Sequence, residues 1–247
     1  MDAAEYALMD AVEDRMWWYR AMHGHALRAL SPLPRTVRLL DAGCGTGGFL
    51  ARLRAARPEA TLFGLEYEQG AAARAAAKAG AHIACGTVNA LPFPDGSFDA
   101  VTSLDVICHA GVEPSQALAE FRRVLRPGGM LVLNLPGHEW LKSAHDIRVH
   151  NARRFEQAAT RAQLEAAGFD APDARHWNTL LLPLMVLQRK VLARGEEDAS
   201  DVAPYPAWLN ASLLAVCRVE GALLRAGLRF PAGGSLITTA IRPEGSP

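Results

Sequence analysis

The sequence predicts an α/β fold built on a doubly wound, mostly parallel sheet, and three observations carry that prediction. Short apolar segments of strand type alternate with helical segments across residues 36–178. The connections between them are short and punctuated by glycine and proline. A glycine cluster follows the first strand and opens a helix. Such alternation implies parallel strands whose crossover helices cover both faces of the sheet. Ligands of such sheets bind outside the carboxyl ends of the strands.

Residues 3–30 read as helical, with few breakers and apolar residues at helical spacing, and Ser31-Pro32-Leu33-Pro34 ends the segment. Val37-Arg38-Leu39-Leu40 reads as the first strand, and residues 49–57 as the helix after the glycine cluster. Thr61 to Leu65 is the second strand. An alanine-rich helix over 70–79 ends at Gly80, a residue suited to a left-handed C-cap. His82-Ile83-Ala84, Phe98 to Ser103 and Met130 to Leu135 follow as strands. Helices over 115–125 and 160–167 end at Pro127-Gly128-Gly129 and Gly168. Two further helices, 179–193 and 206–226, flank a polar stretch with Pro204 and Pro206, and Ser235 to Ile241 closes the chain as a strand.

The 247 residues fit one domain with insertions: an N-terminal helical cap over 1–35, a core over 36–178, a helical insertion over 179–230, and a last strand with tail over 231–247. Twenty-six basic residues balance 26 acidic ones, so there is no global basic footprint for nucleic acid. Cys44, Cys85, Cys108 and Cys217 form no C-x-x-C pair and no zinc-ligand spacing. The N-terminus carries early acids and no apolar stretch of signal-peptide type. The longest apolar run, Leu180 to Leu187, is too short to span a bilayer. A cytoplasmic protein without a membrane span is the expectation.

The sharpest motif is Leu39-Leu40-Asp41-Ala42-Gly43-Cys44-Gly45-Thr46-Gly47-Gly48. Glycines allow a tight turn and close backbone approach to a ligand. The N–H groups of the following helix favour a polar or anionic group. Gly43, Gly45 and Gly48 satisfy the dinucleotide pattern G-x-G-x-x-G, whereas Gly43, Gly45 and Gly47 satisfy D-x-G-x-G-x-G with Asp41 in front. The loop alone fits either a nicotinamide dinucleotide or S-adenosylmethionine, or a purely structural turn.

Two other stretches discriminate. Leu91-Pro92-Phe93-Pro94-Asp95-Gly96-Ser97-Phe98-Asp99-Ala100-Val101 and Arg123-Val124-Leu125-Arg126-Pro127-Gly128-Gly129 follow in the order and spacing common to class I S-adenosylmethionine-dependent methyltransferases. With the glycine loop, residues 39–135 resemble that family's methyltransferase domain of the UbiE-like type. The resemblance implies a Rossmann-like, seven-stranded, mostly parallel sheet with its last strand antiparallel beside the fifth, and a helical insertion over 179–230, between the sixth and seventh strands, as a substrate cover. It implies S-adenosyl-L-methionine as cofactor, held by Asp41, Gly43, Cys44, Gly45 and Gly47. Glu66 is placed to accept from the ribose hydroxyls, Tyr67 to pack on adenine and Val88 to offer its N–H. Thr87 stands where relatives carry an aspartate, and Asn89 is a candidate to compensate.

Methyl transfer from a sulfonium needs mainly alignment, and an oxygen or nitrogen acceptor adds the need for a base. His109, after the fourth strand, is one candidate; His145 and His150 are the others. Some related quinone O-methyltransferases carry E-x-x-E-H with a metal, but Asp105, Cys108 and His109 stand here, so no metal is expected. The segment His145 to Phe155 resembles the H-D-x-x-x-H-x-x-R-R-[FY] stretch of a bacterial group associated with glycan or secondary metabolite pathways, as do Trp17-Trp18-Tyr19 and Ser235-Leu236. Lys142, Arg148, Arg153 and Arg154 suit a phosphate- or carboxylate-bearing substrate, or form a solvated loop. Trp17, Trp18 and Tyr19 suit a cofactor cover or a core anchor. The apolar 180–187 stretch suits a pocket wall, a subunit contact or simple packing. The expectation is O-methylation of a small metabolite or glycan-related molecule. The alternatives are a nicotinamide-dependent oxidoreductase and a protein that binds S-adenosylmethionine without catalysis.

Overall fold

The computed structural model describes residues 3–188 and 205–245. Seven strands form one sheet: β1 (Arg38–Ala42), β2 (Thr61–Glu66), β3 (His82–Cys85), β4 (Phe98–Leu104), β5 (Leu125–Pro136), β6 (Asp170–Trp177) and β7 (Ser235–Ile241). Their spatial order is β3-β2-β1-β4-β5-β7-β6. β1 to β5 pair in parallel, and β7 runs antiparallel between β5 and β6. This is the expected Rossmann-like arrangement, last strand included.

Alternation along the strands divides the core into two layers. Leu39, Leu62, Ala100, Val132 and Ile237 face one layer; Leu40, Val101, Leu131, Leu133 and Leu236 face the other. The first layer is completed by α1 (Ala3–Val12), α2 (Trp17–Ala29), α3 (Gly48–Ala56), α4 (Gln69–Ala79) and, later in the chain, α9 (Ala207–Arg225). The second receives Ala117, Leu118 and Phe121 of α5 (Pro114–Val124) and Leu164 of α7 (Gln157–Ala166). Each such leucine contributes about 1.5–3 kcal/mol by leaving water.

The single N-terminal helix expected from sequence is two helices. Chain geometry breaks at residues 13–16 because groups distant in sequence satisfy the exposed backbone there. Asn210 of α9 accepts the Trp17 N–H at 2.7 Å and donates to the Arg15 carbonyl at 2.8 Å, capping α2 in the manner of an N-cap residue supplied from elsewhere. Glu13 turns inward to the Thr46 hydroxyl at 2.6 Å and Lys78 at 2.6 Å.

Other boundaries move by a few residues; the sixth strand, implied by the resemblance but not placed in the sequence, is β6, and two elements are new. Strand β6, Asp-Ala-Pro-Asp-Ala-Arg-His-Trp, is too polar to read as a strand; pairing with β7 makes it one. A 3-10 turn at Glu139–Leu141 and the short α6 (Ala144–Arg148) organise the segment after β5. Of the helix expected over 179–193, α8 (Leu182–Leu187) is present, and the part beyond residue 188 lies outside the described residues. Among the described helices α9 alone is long and apolar enough to cross a membrane by length and composition. In this fold it packs along α2 through Leu213, Leu214, Cys217 and Leu224.

Candidate active site

The order reversal falls between β1 and β4, where the chain leaves one side of the sheet for the other. A crevice at the carboxyl ends of the strands follows from that topology. It holds a cavity of about 840 Å³ that runs from the glycine loop to α8 and α9.

At the loop, Gly43 and Gly45 adopt φ of 88° and 54°, the left-handed region that glycine enters without penalty. A Cβ at Gly43 would collide with Val106, and one at Gly45 would lie 2.7 Å from the Met9 methyl. Both residues line the cavity; Asp41, Cys44 and Gly47 stand behind it. Asp41 is buried, accepts from the Thr102 hydroxyl at 2.7 Å, and has its carboxyl pushed up to about 7 by burial. The Cys44 sulfur lies near Gly64, and Gly47 packs against Ala75 of α4. These three shape the loop from below.

Glu66 ends β2 with its carboxylate in the cavity wall. It accepts from the Gly45 N–H at 2.8 Å and the Tyr6 hydroxyl at 2.7 Å. Burial, then the Glu66 charge, pushes the Tyr6 phenol well above its usual range. Tyr6 was invisible to sequence reasoning because 60 residues separate it from Glu66. Tyr67, Thr87 and Val88 complete this end; Tyr67 is 79% exposed and Val88 is buried. Asn89 does not reach in: its side chain donates to the Gly111 carbonyl and accepts the Glu113 N–H.

The middle of the cavity is formed after β4. Asp105 has φ of 54°, and the Asn134 amide donates to both its oxygens at 3.0 Å. Asn134 in turn accepts the Trp177 indole N–H at 2.8 Å. Burial pushes the Asp105 carboxyl up to about 7. The sequence placed Asp105 at the strand end, but its link to Asn134 on the next strand needed the fold. His109 also lines the cavity, and its buried Nδ1 has no hydrogen-bond partner among the described residues. The ring interacts with the backbone of Val149 and His150, and burial, the largest influence, lowers its pKa. His150 lines the cavity at φ of 59°. His145 falls within α6, and its side chain is outside what the structure describes. Among the described residues no group of three His, Cys, Asp or Glu side chains is disposed to hold a metal.

The family model for the methyltransferase domain matches residues 40–133, the stretch that holds the loop, Glu66, Asp105 and His109. Residues 40–133 carry a methyltransferase domain of the class I S-adenosylmethionine-dependent type. It is 39% identical to a demethylmenaquinone methyltransferase of Deinococcus radiodurans over 47% of this chain and 48% of that one. It is 30% identical to a probable S-adenosylmethionine-dependent methyltransferase of Mycolicibacterium smegmatis over 68% of this chain and 65% of that one. The chain thus spans less than two thirds of either relative. In fold it is similar to a Thermotoga maritima S-adenosylmethionine-dependent methyltransferase, possibly a histamine N-methyltransferase, with a TM-score of 0.63, 20% identity and coverage of 97% and 95%.

The other two motifs of this domain turn out to be braces. The Arg123 guanidinium donates to the Leu91 and Phe93 carbonyls at 3.0 and 2.8 Å and to Asp95 at 2.7 Å. Glu120 accepts from Arg123 and from the Leu91 N–H. They pin the 91–98 turn to α5, and neither Arg123 nor Glu120 lines the cavity.

The paired arginines differ from the sequence expectation. Arg153 donates to the carbonyls of Ile107, His109 and Val112. Arg154 is ion-paired to the buried Asp146 at 3.0 Å and donates to the Gly137 carbonyl. Lys142 donates to the Ala152 carbonyl. The motif's guanidinium groups therefore stitch the segment to β4 and β5 rather than presenting an open anion site. The far end of the cavity is apolar: Trp18 and Met22 of α2 meet Leu181, Met185, Leu209 and Leu213. Trp17 and Tyr19 are buried, so the aromatic patch serves as core anchor and cavity wall together.

Proposed function

We propose that the chain transfers a methyl group from S-adenosylmethionine to a hydroxyl of a largely apolar small molecule. The observation that carries this reading is the continuous cavity at the strand ends, polar at the glycine loop and apolar at α2, α8 and α9. At about 840 Å³ it lies at the upper end of the roughly 300–1,000 Å³ usual for ligand pockets, which suits a cofactor and an acceptor side by side. The apolar lining favours an apolar metabolite over a glycan, and the internal engagement of Arg153 and Arg154 gives an anionic substrate group no ready partner there. The name of the Deinococcus relative, a demethylmenaquinone methyltransferase, supports an apolar acceptor by analogy.

When bound, S-adenosylmethionine supplies an electrophilic methyl group on its sulfonium. Glu66 is suited to accept both ribose hydroxyls, Tyr67 to pack on the adenine, Val88 to offer its N–H, and Gly43 and Gly45 to let the cofactor approach the backbone. Asp105, fixed by Asn134, lines the cavity midway. His109 is proposed as the base: its imidazole would take the acceptor hydroxyl's proton as the oxygen bonds to the methyl and the bond from that methyl to sulfur breaks, leaving the thioether. A lowered pKa keeps the imidazole neutral, the form that accepts a proton, throughout the neutral range. His109→Gln should therefore reduce turnover roughly 100- to 10,000-fold with the cofactor dissociation constant unchanged. The wild-type rate should rise with pH only below about 6.5 and then level off. Near-normal turnover in the variant would remove His109 from the reaction and leave alignment, or His145 and His150, to account for it.

A further inference from the structure

A second cavity, about 210 Å³, lies apart from the cofactor crevice, between α2, α3 and α9. Four arginines line it: Arg20 and Arg28 from α2, Arg52 from α3 and Arg218 from α9. Among the described residues none of the four is ion-paired to a carboxylate within 4.0 Å. Asp14 acts favourably on Arg52 only at longer range. Like charges gathered in this way repel, and partial burial sharpens the repulsion. Burial and Arg225 hold the Arg28 guanidinium below its usual range, and burial and Arg20 do the same for Arg52.

The helices are shaped around this space. Gly24 and Gly221 both line it, each in the interior of its helix, where glycine is a costly choice. A Cβ at Gly24 would meet nothing within 4 Å, so no packing demand requires glycine there; a side chain would simply occupy the cavity. At Gly221 the Arg28 guanidinium lies across the helix, 3.5 Å from where a Cβ would stand. His25 forms part of the wall, is neutral because burial and Arg28 lower its pKa to about 4, and stands 3.4 Å from an Arg28 nitrogen. Nothing in methyl transfer uses these groups.

We propose that this pocket is a binding site for a phosphate group, free or at the end of a small molecule, held by Arg20, Arg28, Arg52 and Arg218. Guanidinium forks match phosphate oxygens bidentately, and four of them suit a dianion or pyrophosphate better than a single carboxylate. The site ties α2 to α9. A neighbouring face of the same two helices carries Trp18, Met22, Leu209 and Leu213 of the substrate cavity. Occupancy should stiffen that wall.

The test is thermal unfolding and calorimetry of the full chain with inorganic phosphate, pyrophosphate or chloride at matched ionic strength. Wild type should show a saturable rise in Tm of about 2–4 °C or more with pyrophosphate, a smaller one with phosphate and none with chloride. The double variant Arg28→Gln, Arg52→Gln should weaken binding at least about tenfold. In chloride it should unfold no earlier than wild type, because a repulsion has been removed. Gly24→Leu keeps every charge and fills the cavity, so it too should lose the pyrophosphate shift. S-adenosylmethionine binding should persist in all variants and shows that they are folded. Absence of saturable pyrophosphate binding in wild type, or its persistence in both variants, would overturn the proposal.

Discussion

Glu66 illustrates how one side chain carries structure and recognition together. Its carboxylate already receives Gly45 and Tyr6, so the same group that braces the loop presents acceptors to the cavity. Removing it in Glu66→Ala should weaken S-adenosylmethionine binding by about 1.5–3 kcal/mol, the range for hydrogen bonds to a charged group. Calorimetry giving an unchanged dissociation constant would take Glu66 out of the site. The position of Glu66 was legible because it ends a strand two elements after a glycine loop; Tyr6 and Asn210 were not, since nothing local marks a contact made across 60 or 193 residues. Asp105 offers a stability test. Its carboxyl sits near 7 in the fold against about 4 in the unfolded chain, so the folded state binds the extra proton between those values. The Asp105 contribution is therefore greatest below pH 4 and declines as pH rises to about 7. Asp105→Asn should gain stability relative to wild type across that window, by up to roughly 1.4 kcal/mol per pH unit. Parallel stability curves for the two proteins would show that the carboxyl is not perturbed.

At the scale of elements, the strands with apolar runs were readable and β6 was not. The reason is that β6 buries its residues through its neighbour β7 rather than through its own composition. The segment from His145 to Phe155 shows a different limit: spacing revealed a motif but not which way its side chains turn. Arg154 turns inward to Asp146, both nearly inaccessible to solvent. Arg154→Ala should destabilise the protein by about 3–5 kcal/mol, because it leaves a buried carboxylate unpaired. Chemical denaturation showing a loss below about 1 kcal/mol would return the arginine to the surface role expected from sequence. Helix α2 carries its own pH response. Burial lowers His23 to about 3 and His25 to about 4, so both are neutral in the fold while the unfolded chain protonates them below about 6.5. Each therefore removes stability as pH falls from about 6.5 toward 4, by roughly 1.4 kcal/mol per pH unit. His23→Gln with His25→Gln should flatten the wild-type slope in that interval, as read by urea unfolding at successive pH values; an unchanged slope would place the response elsewhere.

The whole molecule joins a sheet whose topology fixes where ligands bind to a helical cover that sets what they are. The first half was legible, because strand alternation, the glycine loop and two bracing motifs all lie within residues 39–135. The second was legible only as one reading among others of the 179–230 insertion and the aromatic patch, because the apolar end of the cavity is assembled from α2, α8 and α9, which meet only in three dimensions. The proposed apolar substrate departs from the anionic one suggested by a run of arginines, because Arg153 and Arg154 hold backbone carbonyls and Asp146. The most direct measurement is release of S-adenosylhomocysteine by the purified full chain against a matched set of hydroxylated small molecules, apolar members paired with phosphate- or carboxylate-bearing analogues of the same size. Turnover on apolar members, weak or absent on their anionic partners, is the expected result; turnover confined to the anionic members would contradict the reading of the cavity.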